Sequence, residues 1–260
     1  CLKDIRNKLS PFTKVIYIVH WAGNPVDLNE LYNIQEESFE RFGFRPIIVE
    51  DCAHAFGSEY NDKKIGNNDR NICVFSLQAI KHLTTGDGGI ITLPNRELYD
   101  RCKLLRWYGI DRDKRNFKKT DFRLENDITE SGYKFHMNDI AATIGLSNIK
   151  DIDINLNKCR HNAKYIREHL KDMKGIQLMK ECPHSKASYW IFTILINDKQ
   201  KFIDFMKSND IMTSQVHNRN DINSCVKYYK EKLRNLDTLE QYMVCIPVGW
   251  WLTNNDLEYI

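Results

Sequence analysis

The sequence lacks a long apolar run, an excess of charge of either sign and closely spaced cysteines. No apolar stretch approaches the roughly 20 residues that a membrane-spanning helix needs, and the first residues lack the charged-then-apolar pattern of a signal peptide. The 38 basic and 35 acidic residues give a net charge of +3, which leaves no broad basic face for nucleic acid. The eight cysteines form no CxxC pair and no zinc-ligand spacing. We therefore expect reduced thiols in a cytoplasmic protein that binds no metal, nucleic acid or membrane.

Strand and helix patterns alternate in the first part of the chain. Apolar runs typical of buried strands occupy 15–19, 46–50, 72–75 and 90–93. Between the first two runs, Asp27 is placed to cap an amphipathic helix, because Glu30 follows three residues later. Strand–helix–strand order predicts parallel pairing with right-handed crossovers. The sequence therefore predicts an α/β fold, a three-layer sandwich built around a mainly parallel sheet.

The pattern changes towards the carboxyl end of the chain. After Gly175, short strand and helix patterns follow one another at 189–196, 199–208 and 221–232. We expect residues 1–154 to form part of a large domain and residues 155–260 to form a smaller α/β domain, although 260 residues also fit one large domain. The strongly charged segment 111–130 is predicted to be a long surface loop.

One stretch, from Glu50 to Gly89, places four chemically useful side chains after strand ends. Asp51 and His54 follow one predicted strand, whereas Ser76 and Lys81 follow the next. In open α/β sheets, ligands collect beyond the carboxyl ends of the strands. A lysine with a hydroxyl before it and a glycine-rich turn after it favours a ligand that carries a carbonyl group. Taken singly, each residue also has a structural alternative, as a cap, a buried histidine or a solvated lysine.

The motifs in this stretch resemble those of a known family. The pattern EDxAHA at 50–55 and the pattern FSxxxxKxxTTGDGG at 75–89 are similar to those of the DegT/DnrJ/StrS family of sugar-nucleotide aminotransferases. Further matches are VHWAG, GYKFHMND and the pair Ile246-Pro247, so the resemblance covers nearly the whole chain. It implies the fold of aspartate aminotransferase and the cofactor pyridoxal 5'-phosphate. Family members normally carry roughly a hundred residues before the position of Cys1, including a phosphate-binding turn and an aromatic ring that stacks on the cofactor.

The resemblance implies a role for each residue of the two motifs. Lys81 would form a Schiff base with the cofactor aldehyde and later carry a proton. Asp51 would pair with the pyridine nitrogen and keep it protonated. Ala53 would pack under the ring, and the imidazole of His54 would reach the phenolic oxygen. Ser76 would hold the cofactor phosphate.

Three further residues are candidates for binding. Lys134, in GYKFHMND, stands where many family members have an asparagine that reaches the cofactor phosphate of the neighbouring subunit. The resemblance therefore implies a homodimer with shared active sites, and a plain surface lysine is the alternative. In the second domain, His217 and Arg219 are placed in a segment that would face the sugar or its diphosphate, because arginine suits phosphate.

The activity that the resemblance implies is a transamination. The amino group would pass from L-glutamate to a keto carbon, C4 or C3, of a nucleotide-linked keto-deoxy sugar. A related branch of the family removes a sugar hydroxyl and has histidine where this chain has Lys81, so the lysine speaks against dehydration. Two alternatives stay open, namely a cofactor-binding fragment without turnover and another lysine-dependent enzyme of the same fold, such as a cysteine desulfurase or an amino-acid aminotransferase.

Overall fold

The computed structural model describes residues 1–113 and 127–260. The helices are α1 (Leu2–Lys8), α2 (Leu28–Phe42), α3 (Arg96–Leu105), α4 (Asp139–Asn148), α5 (Ile152–Leu170), α6 (Lys199–Ser208), α7 (Arg234–Tyr242) and α8 (Asn254–Tyr259). The strands are β1 (Val15–Val19), β2 (Ile47–Asp51), β3 (Glu59–Tyr60), β4 (Lys63–Lys64), β5 (Ile72–Ser76), β6 (Gly89–Thr92), β7 (Ile176–Leu178), β8 (Ser185–Lys186), β9 (Phe192–Ile196) and β10 (Met243–Ile246).

The main sheet has the strand order β1-β2-β5-β6. The first three strands are parallel, with Val19 opposite Asp51 and Asp51 opposite Val74. Strand β6 runs antiparallel to β5, with Ser76 opposite Gly89. The connection between these two strands contains no helix, so the chain folds back beside β5 instead of crossing over the sheet. The mainly parallel α/β fold predicted from the sequence is confirmed.

One face of the main sheet is packed against helices. Its alternate residues form a core with α2 and α1, whose buried members include Ile16, Ile18, Ile48, Phe75, Leu31 and Ile34. Helix α2 begins as predicted, since the side chain of Asp27 accepts a hydrogen bond from the N–H of Glu30 at 3.1 Å. It ends at Gly43, whose positive φ of 78° suits a residue without a β-carbon.

The other face of the main sheet is open. Tyr17 is 61% exposed and Val74 is 41% exposed, and Val15, Val19 and Ile47 also face solvent. This face is open as far as the described residues, 1–113 and 127–260, are concerned. Because side chains alternate along a strand, Asp51 and Ser76 lie on this face, at the carboxyl ends of β2 and β5.

The second part of the chain has its own antiparallel sheet, β10-β9-β7. Its core includes Phe192, Ile194, Val244 and Ile246 and is covered by α5 and α8. Strand β9 begins later than predicted, because Tyr189 has a φ of 53°, outside the strand region.

One predicted helix in this part is wrong. The range 221–232 contains short 3-10 turns, at Asn220–Ile222 and Ser224–Tyr229, and the α-helix comes afterwards as α7. Tyr228 and Tyr229 are both more than 80% exposed, so this segment has no packed apolar face to stabilise an α-helix.

Helix α5 connects the two parts. Its residues Ile152 and Leu156 pack with Leu77 and Leu83, whereas Ala163 and Ile166 belong to the core of the second part. A small sheet, β4-β3-β8, adds a second connection. The predicted domain boundary between residues 154 and 155 lies inside α5, and the division into two domains stays a prediction.

Two further observations concern the sequence-based expectations. Of the predicted surface loop 111–130, residues 114–126 lie outside the described residues. Among the described helices, none combines the length and the apolar character that crossing a bilayer requires.

Candidate active site

Asp51 is held at the end of β2 by two hydrogen bonds. Its Oδ1 accepts from the backbone N–H of Ala53 at 3.0 Å, and its Oδ2 accepts from the hydroxyl of Tyr17 at 3.1 Å. The first bond is the local cap that a strand-end aspartate is expected to make. The second comes from the neighbouring strand, and partial burial together with the charge of Asp51 raises the pKa of Tyr17. Both carboxylate oxygens are therefore oriented on the open face of the sheet.

Lys81 lies in the loop between β5 and β6 and is half-buried. Its Nζ lies 3.6 Å from the centroid of the Trp190 ring, within reach of a cation–π interaction. Burial lowers the pKa of Lys81, and the charge of Asp51 partly opposes that effect. A lowered pKa increases the fraction of free amine at neutral pH, which is the form that attacks a carbonyl group.

The loop that carries Lys81 is closed by its own hydrogen bonds. The N–H of Leu77 donates to the carbonyl of Gly88 at 2.8 Å, and the hydroxyl of Thr85 donates to the carbonyl of Asp87 at 2.8 Å. At the start of the loop, the hydroxyl of Ser76 accepts from the N–H of the residue two positions on, at 3.3 Å. The hydroxyl of Ser76, at the end of β5, can thus accept a further hydrogen bond.

His54 is buried and neutral. Its Nδ1 accepts a hydrogen bond from the N–H of Ala22 at 3.3 Å, so the proton of the ring is assigned to Nε2. Burial lowers the pKa of His54 to about 3, and the nearby charges of Lys81, His217 and His82 add to this effect. The ring therefore offers a neutral N–H donor beside the lysine.

An aromatic cluster surrounds this histidine, and we define it as Trp21, His54, Trp190 and His217. The His54 ring stacks on Trp190 with centroids 3.9 Å apart and is nearly parallel to His217 at 5.5 Å. Trp21 meets both imidazoles edge-on. Trp190 and His217 come from the second part of the chain, so the cluster is assembled from both parts.

Two further predicted site residues make their described contacts elsewhere. Arg219 donates to Asp221 and Asp237, and these two carboxylates raise its pKa and balance its charge. Lys134 is exposed, and its backbone pairs with Trp107 beside the end of α3. The contacts described for these two residues are thus made away from Lys81, whereas Asp51 and His54 lie near the lysine.

Sequence reasoning missed Tyr17 and Trp190. Tyr17 is two residues before the end of β1, and only the register of β1 against β2 brings it to Asp51. Trp190 lies 109 positions after Lys81 in the sequence, and no local pattern relates the two. The segment 187–190 also contributes Ser188, whose hydroxyl donates to the carbonyl of His54 at 3.0 Å.

Comparison with known proteins gives consistent matches over the whole chain. The model of the DegT/DnrJ/EryC1/StrS aminotransferase family matches residues 1–260. Uncharacterized protein MJ1066 of Methanocaldococcus jannaschii is 30% identical over 266 residues, covering 98% of this chain and 67% of that protein. GDP-perosamine synthase of Escherichia coli O157:H7 is 29% identical over 194 residues, covering 75% of this chain and 48% of that protein.

Solved structures match equally well. Sugar aminotransferase CalS13 from Micromonospora echinospora has a TM-score of 0.93 and 38% identity, covering all of this chain and 69% of that one. AtS13 from Actinomadura melliaura has a TM-score of 0.93 and 42% identity, covering all of this chain and 68% of that one. The chain spans 45% to 67% of the length of the first curated relatives that it matches.

Proposed function

The chain belongs to the DegT/DnrJ/EryC1/StrS aminotransferase family, and from this membership we propose that it acts as a pyridoxal-phosphate-dependent aminotransferase of nucleotide-linked sugars. The amino group would pass from L-glutamate to a keto carbon of a nucleotide-linked keto-deoxy sugar, at C4 or C3. One observation carries the proposal: Lys81 and His54 contact the same Trp190 ring, with the Nζ 3.6 Å and the imidazole centroid 3.9 Å from its centroid, and Asp51 lies at the carboxyl end of β2 in the mainly parallel sheet.

The donor set at this edge fits the proposed cofactor. Pyridoxal phosphate presents an aldehyde, a basic ring nitrogen, a phenolic oxygen and a phosphate. The site offers a primary amine of lowered pKa at Lys81, a carboxylate at Asp51, a neutral N–H at His54 and a hydroxyl at Ser76. Each group of the cofactor thus has a chemically matching partner. Asp51 and Ser76 lie on the open face of the sheet, where the side chains around them leave space for the cofactor.

The residues of this chain would divide the work of the reaction. When bound, the cofactor supplies the electron-withdrawing ring that stabilises a carbanion. Asp51 would hold the positive charge of the ring nitrogen, and Tyr17 and Ala53 keep its two oxygens oriented for that purpose. The Nζ of Lys81, as a free amine, would accept the proton that leaves the donor's α-carbon and release it again later in the reaction.

The donor and the oligomeric state belong to the same proposal. L-Glutamate is the amino donor that we propose, and a homodimer with shared sites is the assembly. Lys134 supports the dimer because it is exposed and makes its described contacts away from Lys81. A phosphate dianion enclosed between two subunits needs a cation, and a charge-assisted hydrogen bond is about twice as strong as a neutral one.

A second candidate is favoured by the open face of the sheet. Residues on that face, including Tyr17 beside Asp51, are exposed to water. A site that does not exclude water is expected to bind its cofactor without efficient turnover. In that case these residues would form a cofactor-binding module without turnover.

Borohydride reduction tests both candidates. The protein is incubated with pyridoxal phosphate, reduced and mapped by peptide mass spectrometry, and we expect the pyridoxyl group on Lys81. Lys81→Ala should lose the adduct and the visible absorption, whereas Lys199→Ala, a matched control at another half-buried lysine, should keep both. An adduct on a different lysine would overturn the assignment. A Lys81 adduct without activity on keto sugars and glutamate would favour the binding module.

A further inference from the structure

Trp190 tethers the backbone next to Lys81. Its indole Nε1–H donates to the carbonyl of Ile80 at 2.8 Å, and Ile80 directly precedes Lys81. Its own backbone N–H donates to the carbonyl of Ala22 at 3.0 Å, which joins it to the turn after β1. One residue from the second part of the chain thus connects the lysine loop, through its side chain, with the turn after β1, through its backbone.

The ring of Trp190 also contacts the lysine side chain. The Nζ of Lys81 lies 3.6 Å from the ring centroid, and the imidazole of His54 stacks on the same indole at 3.9 Å. A cation above an indole is stabilised by the negative potential of the ring face. Trp190 therefore contacts both the ε-nitrogen and the backbone that carries it.

The segment that presents Trp190 is held in an uncommon conformation. Tyr189 has a φ of 53°, a left-handed value that is costly for a bulky residue. On its other side, Ser188 accepts a hydrogen bond at its carbonyl from His82 at 3.0 Å, and its hydroxyl accepts from Ser58 at 2.9 Å. Gly23 packs so closely that a β-carbon there would lie 2.3 Å from the Ser188 hydroxyl. These contacts offset the strain and fix the direction of the tryptophan.

We propose that Trp190 is a positioning residue for Lys81. The ring of Trp190 holds the ε-ammonium of the lysine whenever the lysine is not bonded to an aldehyde. The catalytic meaning of this contact rests on the proposed function, but the contact itself does not. The described titratable groups that influence Lys81 are Asp51, which favours its charged form, and His54 and His82, which are buried and neutral. Besides the charge of Asp51, the ring of Trp190 thus stabilises the charged form of the lysine.

The first test measures the ionisation of Lys81 in cofactor-free protein. Competitive acetylation with acetic anhydride over a range of pH, read by mass spectrometry, gives the midpoint of Lys81 labelling. Trp190→Leu keeps apolar bulk and loses the ring, so the midpoint should fall by about half a unit to one unit. Trp190→Phe keeps a ring face and should restore most of the shift. Trp250→Leu, a tryptophan that is 43% exposed, is the matched control and should leave the midpoint unchanged.

The second test addresses the tether and does not depend on the leucine variant folding. Trp190→Phe removes the indole N–H that bonds to Ile80, so hydrogen exchange of the peptide spanning 77–88 should become several-fold faster than in the wild type. Trp250→Phe should not change it. An unchanged or raised Lys81 midpoint in a folded Trp190→Leu, equal midpoints for the leucine and phenylalanine variants, or unchanged exchange in Trp190→Phe would overturn the proposal. Both tests omit the cofactor, so their outcome is independent of the proposed activity.

Discussion

Replacing His82 with glutamine should make the stability of the protein less sensitive to acid. His82 is buried, and its Nε2 donates to the carbonyl of Ser188 at 3.0 Å. Burial lowers the pKa of His82 to about 4, well below the ordinary histidine value of 6.5. Glutamine is the chosen substitute because its amide N–H can donate to the same carbonyl and because the amide carries no charge at any pH.

The sign and size of the effect follow from linkage. Below pH 6.5 the unfolded chain binds a proton at His82, whereas the folded protein stays neutral there until about pH 4. The free energy of unfolding therefore falls as the pH is lowered through this window, with a limiting slope of about 1.36 kcal/mol per pH unit. Between about pH 7.5 and pH 4.5 the loss amounts to about 2–3 kcal/mol, a large part of the stability of an ordinary domain.

Urea unfolding at these two pH values measures the effect. The free energy of unfolding of the wild type minus that of His82→Gln should be lower by about 2–3 kcal/mol at pH 4.5 than at pH 7.5. His54, whose pKa burial lowers to about 3, stays neutral in the folded state of both proteins at pH 4.5, so its contribution cancels in the difference. His161→Gln, at an exposed histidine, is the matched control and should show no such change. A difference that stays the same at both pH values, or an equal change in the control, would show that burial of His82 does not control its protonation.

Two further predictions concern the proposed reaction in the full-length protein. Asp51→Asn can still accept a hydrogen bond from Tyr17 but carries no charge, so cofactor should bind while transamination slows on the order of a hundredfold; a variant with an unchanged rate, measured by product formation, would remove Asp51 from the mechanism. Mixing Lys81→Ala with Lys134→Ala chains should place both lesions in one site of a heterodimer and restore about a quarter of the wild-type activity under random exchange. If subunits exchange, Lys134→Ala alone is impaired and activity still does not return, then Lys134 does not act across the interface.

The sequence was most informative where the structure depends on local patterns. The strands that end near Asp51 and Ser76 were predicted to within one residue, because an apolar run followed by polar residues is a local signal. The capped start of α2 at Asp27 was found for the same reason. The chemical types that meet beside Lys81 were found through motifs in which all members lie close together in the chain.

Long-range contacts were not predictable in the same way. Trp190 reaches Ile80 because the left-handed turn at Tyr189 redirects the chain, and no spacing rule relates these positions. The range 221–232 was predicted to be helical from its pattern, but within the described part of the chain its tyrosines are exposed, and the range forms 3-10 turns instead of an α-helix. The pairing of Arg219 with Asp237, 18 positions later in the chain, likewise depends on tertiary folding.

The sharing of α5 between two cores has a consequence for cooperativity. Its first turns pack against Leu77 and Leu83 of the lysine loop, and Arg160 in its middle donates to the carbonyls of Gly57 and Ala187. Its later turns are part of the second core. If either core unfolds, the other loses the α5 residues that pack in it. We therefore expect one unfolding transition rather than two. A cut at the predicted boundary, between residues 154 and 155, would split this helix. For the same reason, a ligand that binds to the second part would stabilise the loop of Lys81 through α5.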